Sequence, residues 1–166
     1  FSPQRYDHSI INSYGHPVPV IAGKLQILAA NAKPTVLSTS FTPERDEITM
    51  DITSAYDVAT LQKLTRRMAC DRSANGSIAI TDAADFSEPT MFEDALITRG
   101  DWKQTDERTI QFTRGQSTLT VTIDSSDPYH LKPEKIHDQG VDFTRIGLVF
   151  DKPVKTARVT MTFQPN

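Results

Sequence analysis

Apolar and polar residues alternate in several stretches of the chain, and this two-residue period constrains the fold more than any other feature of the sequence. Such alternation is typical of a β-strand that lays one face on a core. In EITMDIT, Ile48, Met50 and Ile52 share one face, and threonine and aspartate occupy the other. The same pattern in TLTVTID and RVTMTF predicts two more inner faces, made of Leu119, Val121 and Ile123 and of Val159, Met161 and Phe163.

Other runs predict further strands and bring the total to about ten or eleven. The segment from Ala55 to Arg67 has leucines at helical spacing but lacks a convincing cap, so a strand is preferred there. Asn75-Gly76 lies between two strand-like runs and predicts a hairpin, because both residues tolerate positive φ. The further predicted strands are His8–Asn12, Lys24–Leu28, Thr35–Phe41, Leu61–Cys70, Ser77–Thr81, Phe92–Thr98, Thr109–Thr113 and Arg145–Phe150.

Many short strands with regular turns predict an all-β fold, an antiparallel β-sandwich, because a sheet with one apolar face must stack on another. The 166 residues suffice for one well-buried core and are too few for two, so residues 1–166 are predicted to form a single domain. The chain begins with Phe rather than Met, which favours a segment of a longer chain over a processed product.

Composition argues against several kinds of partner. The formal charge of −3 arises from residues of both signs scattered along the chain, so nucleic acid is not expected as a partner. No apolar run approaches the roughly 20 residues of a membrane helix, and the start of the chain lacks the features of a signal peptide. The single cysteine, Cys70, cannot form an internal disulfide.

The usual nucleophile and phosphate-binding motifs are absent from the sequence, which contains no GxSxG, GxGxxG or Gly-Lys-Ser/Thr pattern. Hydrolase, dehydrogenase and kinase interpretations are therefore set aside. The four histidines are dispersed without HxH or HxxxH pairs, so no metal site is predicted in this chain. His8 beside Asp7 weakly indicates a metal ligand. The alternative is that His8 is an edge-strand histidine that faces water.

The segment NSYGHPVPV offers the candidates for substrate binding: Asn12, Tyr14 and His16. Gly15 gives the backbone freedom that exposes the next side chain, and Pro17 restricts His16 to extended geometry. An amide, a phenol and a fixed imidazole can hydrogen-bond the carboxylate or hydroxyls of a sugar, and in a lyase such donors lower the barrier to proton abstraction. The alternative is structural: the tyrosine covers the end of the sandwich and the histidine caps a carbonyl.

Two pairs of adjacent charged residues elsewhere are weaker candidates for a functional site. Arg66 and Arg67 point to opposite faces if their run is a strand, so at most one of them enters a site. Glu93 and Asp94 are separated in the same way, and paired-carboxylate catalysis is therefore not predicted.

Three stretches, NSYGHPVPVIAGKLQ, DITSAYDVATLQKLTRR and GSIAITDAADFSEPTMFEDALITRGDW, resemble in order and spacing the C-terminal β-sandwich region of heparinase II/III-like proteins, which are bacterial polysaccharide lyases. The resemblance runs from about Arg5 to the end of the chain. It implies a supersandwich-like fold, an N-terminal α/α toroid in the same parent chain, an acidic, uronate-containing polysaccharide in the cleft between the two parts, and export to the periplasm or the cell surface.

The resemblance assigns no catalytic residue to this chain, because the family's main catalytic tyrosine and its carboxylate-neutralising groups lie largely in the toroid. A divalent metal is possible in the parent, whose histidine-rich motif lies upstream of Phe1. Asn12, Tyr14 and His16 are therefore candidates for the cleft-facing surface only, and this chain alone is expected to be inactive.

Two functional classes stay open. In the first, the chain is the non-catalytic part of a lyase that cleaves by β-elimination. In the second, it is a carbohydrate-binding or scaffolding module without a cleft partner. The second class expects exposed aromatic residues in a row, whereas this sequence has 8% aromatic residues and one tryptophan. Tyr56 and Trp102 can stack on sugar rings, but single aromatic residues in a sandwich more often fill its core or rim. The first class is therefore preferred.

Overall fold

The computed structural model describes residues 3–28 and 32–166, which form two stacked layers of strands. Short 3₁₀ helices occupy Pro3–Asp7, Ser13–Gly15 and Thr53–Ala55. Twelve strands are present within the described ranges: β1 Val20–Ile21, β2 Thr35–Phe41, β3 Arg45–Asp51, β4 Leu61–Asp71, β5 Ser77–Thr90, β6 Phe92–Thr98, β7 Asp101–Asp106, β8 Thr109–Arg114, β9 Ser117–Ser125, β10 Tyr129–Asp138, β11 Val141–Phe150 and β12 Val154–Pro165.

The strands form two antiparallel sheets. The small sheet has the order β1-β6-β11-β10, and the large sheet has the order β2-β3-β4-β5-β12-β9-β8-β7. β5 ends at Thr90 in the large sheet and β6 begins at Phe92 in the small sheet, so the chain passes between the layers at Met91. The predicted all-β antiparallel sandwich is confirmed, with twelve strands in the described residues instead of about ten or eleven.

One hydrophobic cluster fills the space between the sheets. It includes Leu64 of β4, Phe92 and Leu96 of β6 and Ile146 of β11, and each is at most 2% exposed. The predicted inner faces are confirmed except at Ile48, because the core also contains Ile52, Val121, Ile123, Val159 and Met161, with Met50, Leu119 and Phe163 packed against it. Ile48 is partly buried but lies outside this cluster. Alternation therefore identified the core side of these strands correctly.

Two predicted strands are wrong. The segment His8–Asn12 forms turns, in which the carbonyl of His8 accepts from the amides of Ile11 and Asn12. The segment Lys24–Leu28 has one isolated bridge at Lys24, and its later amides donate outside any ladder, Gln26 to the Ser13 hydroxyl and Ile27 to the carbonyl of Ala55. Apolar residues in these segments pack as loop residues, so the period-2 pattern misled there.

Three strands were missed. β7 is an edge strand of the large sheet and β10 is an edge strand of the small sheet, and their sequences DWKQTD and YHLKPEKIHD are mostly polar. Pro133 within β10 argued against a strand, yet an edge strand tolerates a proline. β1 spans two residues, which is too short to produce a detectable pattern.

In the N-terminal segment, residues 3–28, the part that precedes β1 lies against the outer face of the small sheet. In β11, the side chains of Ile146, Leu148 and Phe150 point into the core. Arg145 precedes them by an odd number of residues, so its side chain points to the opposite face. Arg145 Nε donates to the carbonyl of Tyr14 at 3.0 Å. Nearer the start of the segment, His8 Nδ1 lies 2.9 Å from Asp138 Oδ1 of β10. These contacts fix the position of the loop that holds the predicted site residues.

Candidate functional site

The N-terminal segment and β4 enclose a groove of about 440 Å³, here called the His16 groove. Its polar lining includes Asn12, His16, Gln26 and Arg66, and its walls include Ile11, Val18 and Ile27. Sugar sites commonly combine apolar surface, against which a ring can lie, with a few convergent polar groups that bind substituents. The His16 groove has both kinds of surface.

Asn12 lines the groove but also caps the 3₁₀ helix that follows it. Its side-chain oxygen accepts from the amide of Tyr14 at 2.8 Å, and its side-chain nitrogen donates to the carbonyl of Tyr6 at 3.0 Å. Both contacts stabilise the loop. Because a side-chain amide has two N–H donors, one donor of Asn12 is left for a bound molecule.

His16 stands at the rim of the groove with an exposed side chain. Its backbone is extended, with φ −123° and ψ 153°, as expected before Pro17. The backbone amide donates to the carbonyl of Ser13 at 3.3 Å, whereas the imidazole makes no hydrogen bond with any of the described residues. The side chain is thus available to a ligand.

Gly15 is required for close approach of the backbone. A Cβ atom at this position would lie 2.2 Å from the carbonyl oxygen of Ser9 and 3.3 Å from the ring of Phe143. The φ angle of Gly15 is not in the left-handed region. The glycine therefore serves packing of the loop, and the extended residue after it results from the proline.

Tyr14 points away from the His16 groove, towards the outer face of the small sheet. Its hydroxyl donates to Glu134 Oε2 at 2.6 Å, and the Arg145 guanidinium lies 4.2 Å from its ring centroid. Burial and the hydrogen bond to Glu134 raise the pKa of Tyr14 to about 12. The structure therefore brings Asn12 and His16 to one groove and leaves Tyr14 outside it, anchoring the loop.

A buried charged cluster lies behind the groove, between the two sheets. Nε and Nη2 of Arg66 donate to the two oxygens of Asp82 at 2.8 and 2.6 Å. Asp82 and Asp94 are both 0% exposed. Asp94 accepts from the amide of Ala95 through Oδ1, and its Oδ2 has no partner among the described residues. Burial, with the nearby charge of Asp82, raises the pKa of Asp94 well above its usual range and thus favours the protonated form of this carboxyl.

In each adjacent charged pair, Arg66-Arg67 and Glu93-Asp94, one side chain is buried between the sheets and the other lies on the outer face of its sheet. Arg67 pairs with Glu47 on the outer face of the large sheet, and Glu93 pairs with Arg145 on the outer face of the small one. The predicted separation of Arg66 from Arg67 and of Glu93 from Asp94 is confirmed. Sequence alternation indicated that one arginine faces inward, but it gave no sign of which carboxylate would pair with it.

The remaining candidates have structural partners. Tyr56 is buried, and its hydroxyl donates to the carbonyl of Pro19 at 2.7 Å; Trp102 packs partly buried against the core. His8 is not an edge-strand histidine, because it lies in a turn and bonds Asp138. Within the described ranges, no three His, Cys, Asp or Glu side chains come together as metal ligands would.

Comparison with known proteins identifies the fold. No protein-family model matches the sequence, and no curated protein matches it. A solved heparinase III gene product superposes with a TM-score of 0.74 at 10% identity, over 100% of this chain and 26% of that one. A heparan sulfate lyase from Pedobacter heparinus gives a TM-score of 0.70 at 11% identity, over 93% and 24% of the two chains. Another heparinase III structure gives 0.67 at 13% identity.

The chain therefore has a heparinase-like β-sandwich fold, and the resemblance inferred from the sequence is confirmed at the level of the fold. It spans about a quarter of the length of these solved structures, between 24% and 26%. In the part of the chain that the structure describes, no helix has the length and apolarity needed to cross a membrane.

Proposed function

We propose that this chain is the β-sandwich part of a polysaccharide lyase and helps to form the cleft for a uronate-containing polysaccharide that is cleaved by β-elimination. The observation that supports this most directly is the match in fold. Almost the whole chain superposes on part of proteins named heparinase III and heparan sulfate lyase. The greater part of those proteins has no counterpart here, so the activity belongs to a larger protein.

The His16 groove is the surface that we assign to the cleft. Arg66 uses Nε and Nη2 for Asp82, and its Nη1 makes no hydrogen bond with the described residues, although the side chain lines the groove. A guanidinium N–H is a strong donor to a carboxylate. The neutral amide of Asn12 and the imidazole of His16 would bind hydroxyl or carboxylate oxygens at the rim.

The chemistry explains why such donors help. In β-elimination a base removes the proton from the carbon next to the uronate carboxylate, the bond to the leaving oxygen breaks, and an acid protonates that oxygen. Negative charge develops on the carboxylate as the proton leaves. Preorganised donors aimed at this charge lower the barrier. In our proposal, residues of the parent's α/α toroid supply the base and the acid.

The rest of the proposal follows from the same resemblance. The partners are an acidic polysaccharide and the N-terminal α/α toroid of the same bacterial parent, which would act in the periplasm or outside the cell. A divalent metal, if the parent holds one, would be bound by residues outside this chain. A carbohydrate-binding module without a cleft partner is the alternative, but Phe41 is the one large aromatic side chain that is well exposed among the described residues.

An activity assay tests the proposal. The isolated chain and the longer protein that contains it would each be incubated with heparan sulfate, chondroitin sulfate and alginate, and the ultraviolet absorbance of the unsaturated uronate product would be followed. We expect no product from the isolated chain and product on at least one polysaccharide from the longer protein. Activity of the isolated chain, or inactivity of the longer protein on all three substrates, would contradict the proposal.

A further inference from the structure

We infer that a second surface of this chain, which shares no lining residue with the His16 groove, binds acidic groups of the polysaccharide. This Arg99 surface is defined by Arg99, Arg114 and Lys135, at the end of the sandwich where β6 passes into β7. The inference rests on the proposed function for the class of ligand. It extends that function, because it gives a long polysaccharide a contact away from the cleft.

Two adjoining grooves of about 380 and 480 Å³ form the surface. They share Thr98, Arg99 and Gly100, so Arg99 stands between them. Lys135 and His137 line the first groove, and Arg114 lines the second. Asp142 is the single carboxylate among the described residues that line the two grooves, and it is occupied by His137, whose Nδ1 lies 2.6 Å from its Oδ1.

The backbone holds the three cations close together. Thr98 pairs with Thr144 of β11, and Thr144 pairs with Lys135 of β10, so Lys135 lies two strands, or about 10 Å, from the residue before Arg99. On the other side, a Cβ atom on Gly100 would lie 3.4 Å from the Cβ of Arg114. The tight turn is fixed by the amide of Gly100, which donates to the Thr98 hydroxyl at 3.0 Å.

The cationic side chains of this surface have no partner among the described residues. Six arginines pair with carboxylates: Arg45, Arg66, Arg67, Arg72, Arg145 and Arg158. By contrast, the side chains of Arg99, Arg114 and Lys135 form no hydrogen bond or ion pair with the residues that the structure describes. Unpaired arginines that share one groove form a surface suited to carboxylate and sulfate groups, which a guanidinium can bind through two N–H donors.

The lining also favours a sugar polymer over a nucleic acid. Phe112, Leu119 and Phe143 contribute apolar surface at the base of the grooves, where the face of a pyranose ring can pack. These side chains are partly or fully buried, so none projects as a platform for base stacking.

The test compares binding of heparin oligosaccharides by the intact chain and two variants, using calorimetry at fixed salt. The double variant Arg99→Ala with Arg114→Ala removes both arginines of the surface. Arg108→Ala is the matched control. Arg108 is exposed in the β7–β8 turn, at the end of β7 and β8 opposite to Arg99 and Arg114, and its side chain also lacks a carboxylate partner among the described residues. Circular dichroism would verify that all three proteins are folded. We expect binding to weaken about tenfold or more in the double variant and to change less than about twofold in the control.

The outcomes separate this inference from the proposed function. If the intact chain binds heparin and the double variant binds it equally well, the assignment of binding to the Arg99 surface is wrong. Loss of heparin binding in His16→Ala would in that case still support the His16 groove as a binding site. If the double variant alone loses binding but the longer protein cleaves no polysaccharide, the surface stands and the lyase proposal fails. Equal affinity for single-stranded DNA, or no binding of heparin by the intact chain, would overturn the inference.

Discussion

Asp94 shows how a single residue can make the sandwich sensitive to pH. Its carboxyl is fully buried between the sheets, next to the ion pair of Asp82 and Arg66. Burial raises its pKa, so the folded state holds a proton that the unfolded state releases once the pH exceeds the ordinary carboxyl range. The free energy of unfolding therefore decreases as the pH rises through this window, until Asp94 ionises in the folded state.

Replacing Asp94 by asparagine should remove this contribution. An asparagine has the shape of the protonated acid, keeps an oxygen for the amide of Ala95 and can donate to Asp82. The difference in free energy of unfolding between the variant and the original chain is expected to grow with pH, by up to about 1.4 kcal/mol per pH unit. Urea denaturation from mildly acidic to neutral pH measures it. The control Asp85→Asn, at an exposed position of β5, should show no such trend; a constant difference for Asp94→Asn would contradict the expectation.

The variant His16→Ala distinguishes a role of His16 in turnover from a role in folding. Because its imidazole is exposed and has no partner among the described residues, His16→Ala should change the free energy of unfolding by no more than about 0.5 kcal/mol. In the longer protein that we propose to be a lyase, the same change should lower turnover by roughly a hundredfold or more, as expected for a donor to transition-state charge. Thermal denaturation and product absorbance measure the two effects.

His130→Ala is the control for that experiment. His130 lies on β10 of the small sheet and is also exposed, and its ring contacts Asp151, just after β11 and away from the groove. It should leave turnover unchanged. If His16→Ala instead melts well below the original protein and keeps its turnover once folded, His16 is a structural residue and the groove is not part of the cleft.

At the scale of elements, the loop from Asn12 to Val18 is held by packing and by charge. Arg145 is 1% exposed, donates to the carbonyl of Tyr14, pairs with Glu93 and lies over the tyrosine ring. The loop has no ladder hydrogen bonds of its own within the described residues. Its position therefore depends on the small sheet beneath it.

Gly15→Ala tests this dependence. The added methyl group would collide with the backbone carbonyl of Ser9, so the loop must move, at a cost of about 1–3 kcal/mol. Gly23→Ala is the control: it has positive φ, at +72°, but open space, and should cost about 1 kcal/mol. Denaturation gives both values, and the NMR signals of the His16 ring should shift only in Gly15→Ala. An unchanged signal would show that the loop does not depend on this contact.

The hairpin between β4 and β5 illustrates which features of an element the sequence predicts. Asn75-Gly76 predicted a hairpin there, and Gly76 indeed has a φ of +77°. A two-residue loop would pair Ala74 with Ser77, but the structure pairs Asp71 with Ser77, so the loop covers residues 72–76. This register places Arg66 opposite Asp82. The buried ion pair was therefore not predictable from the turn residues alone, since the register depends on packing of the whole hairpin.

At the scale of the whole molecule, sequence patterns predicted the central strands well but, among the four edge strands of the described residues, found only β2. β6 and β9 were recognised because one face of each meets the core. β7 and β10 lie at sheet edges with polar sequences, where burial is too limited to produce a pattern. The His16 groove and the Arg99 surface each combine residues from strands distant in sequence, so both depend on the order of strands, which local patterns do not encode.

The arrangement of the core leads to a prediction for the isolated chain. A single hydrophobic cluster contains side chains from both sheets, and the long-range pairs β5 with β12 and β6 with β11 join the two halves of the sequence. Neither sheet can keep its inner face buried if the other unfolds. We therefore expect one cooperative unfolding transition, with coincident curves from circular dichroism and tryptophan fluorescence, and a far-ultraviolet spectrum dominated by strands. Trp102 on β7 reports on the edge of the large sheet, whereas circular dichroism averages over all strands. Two separate transitions, or a helix-dominated spectrum, would contradict a single domain with this shared core.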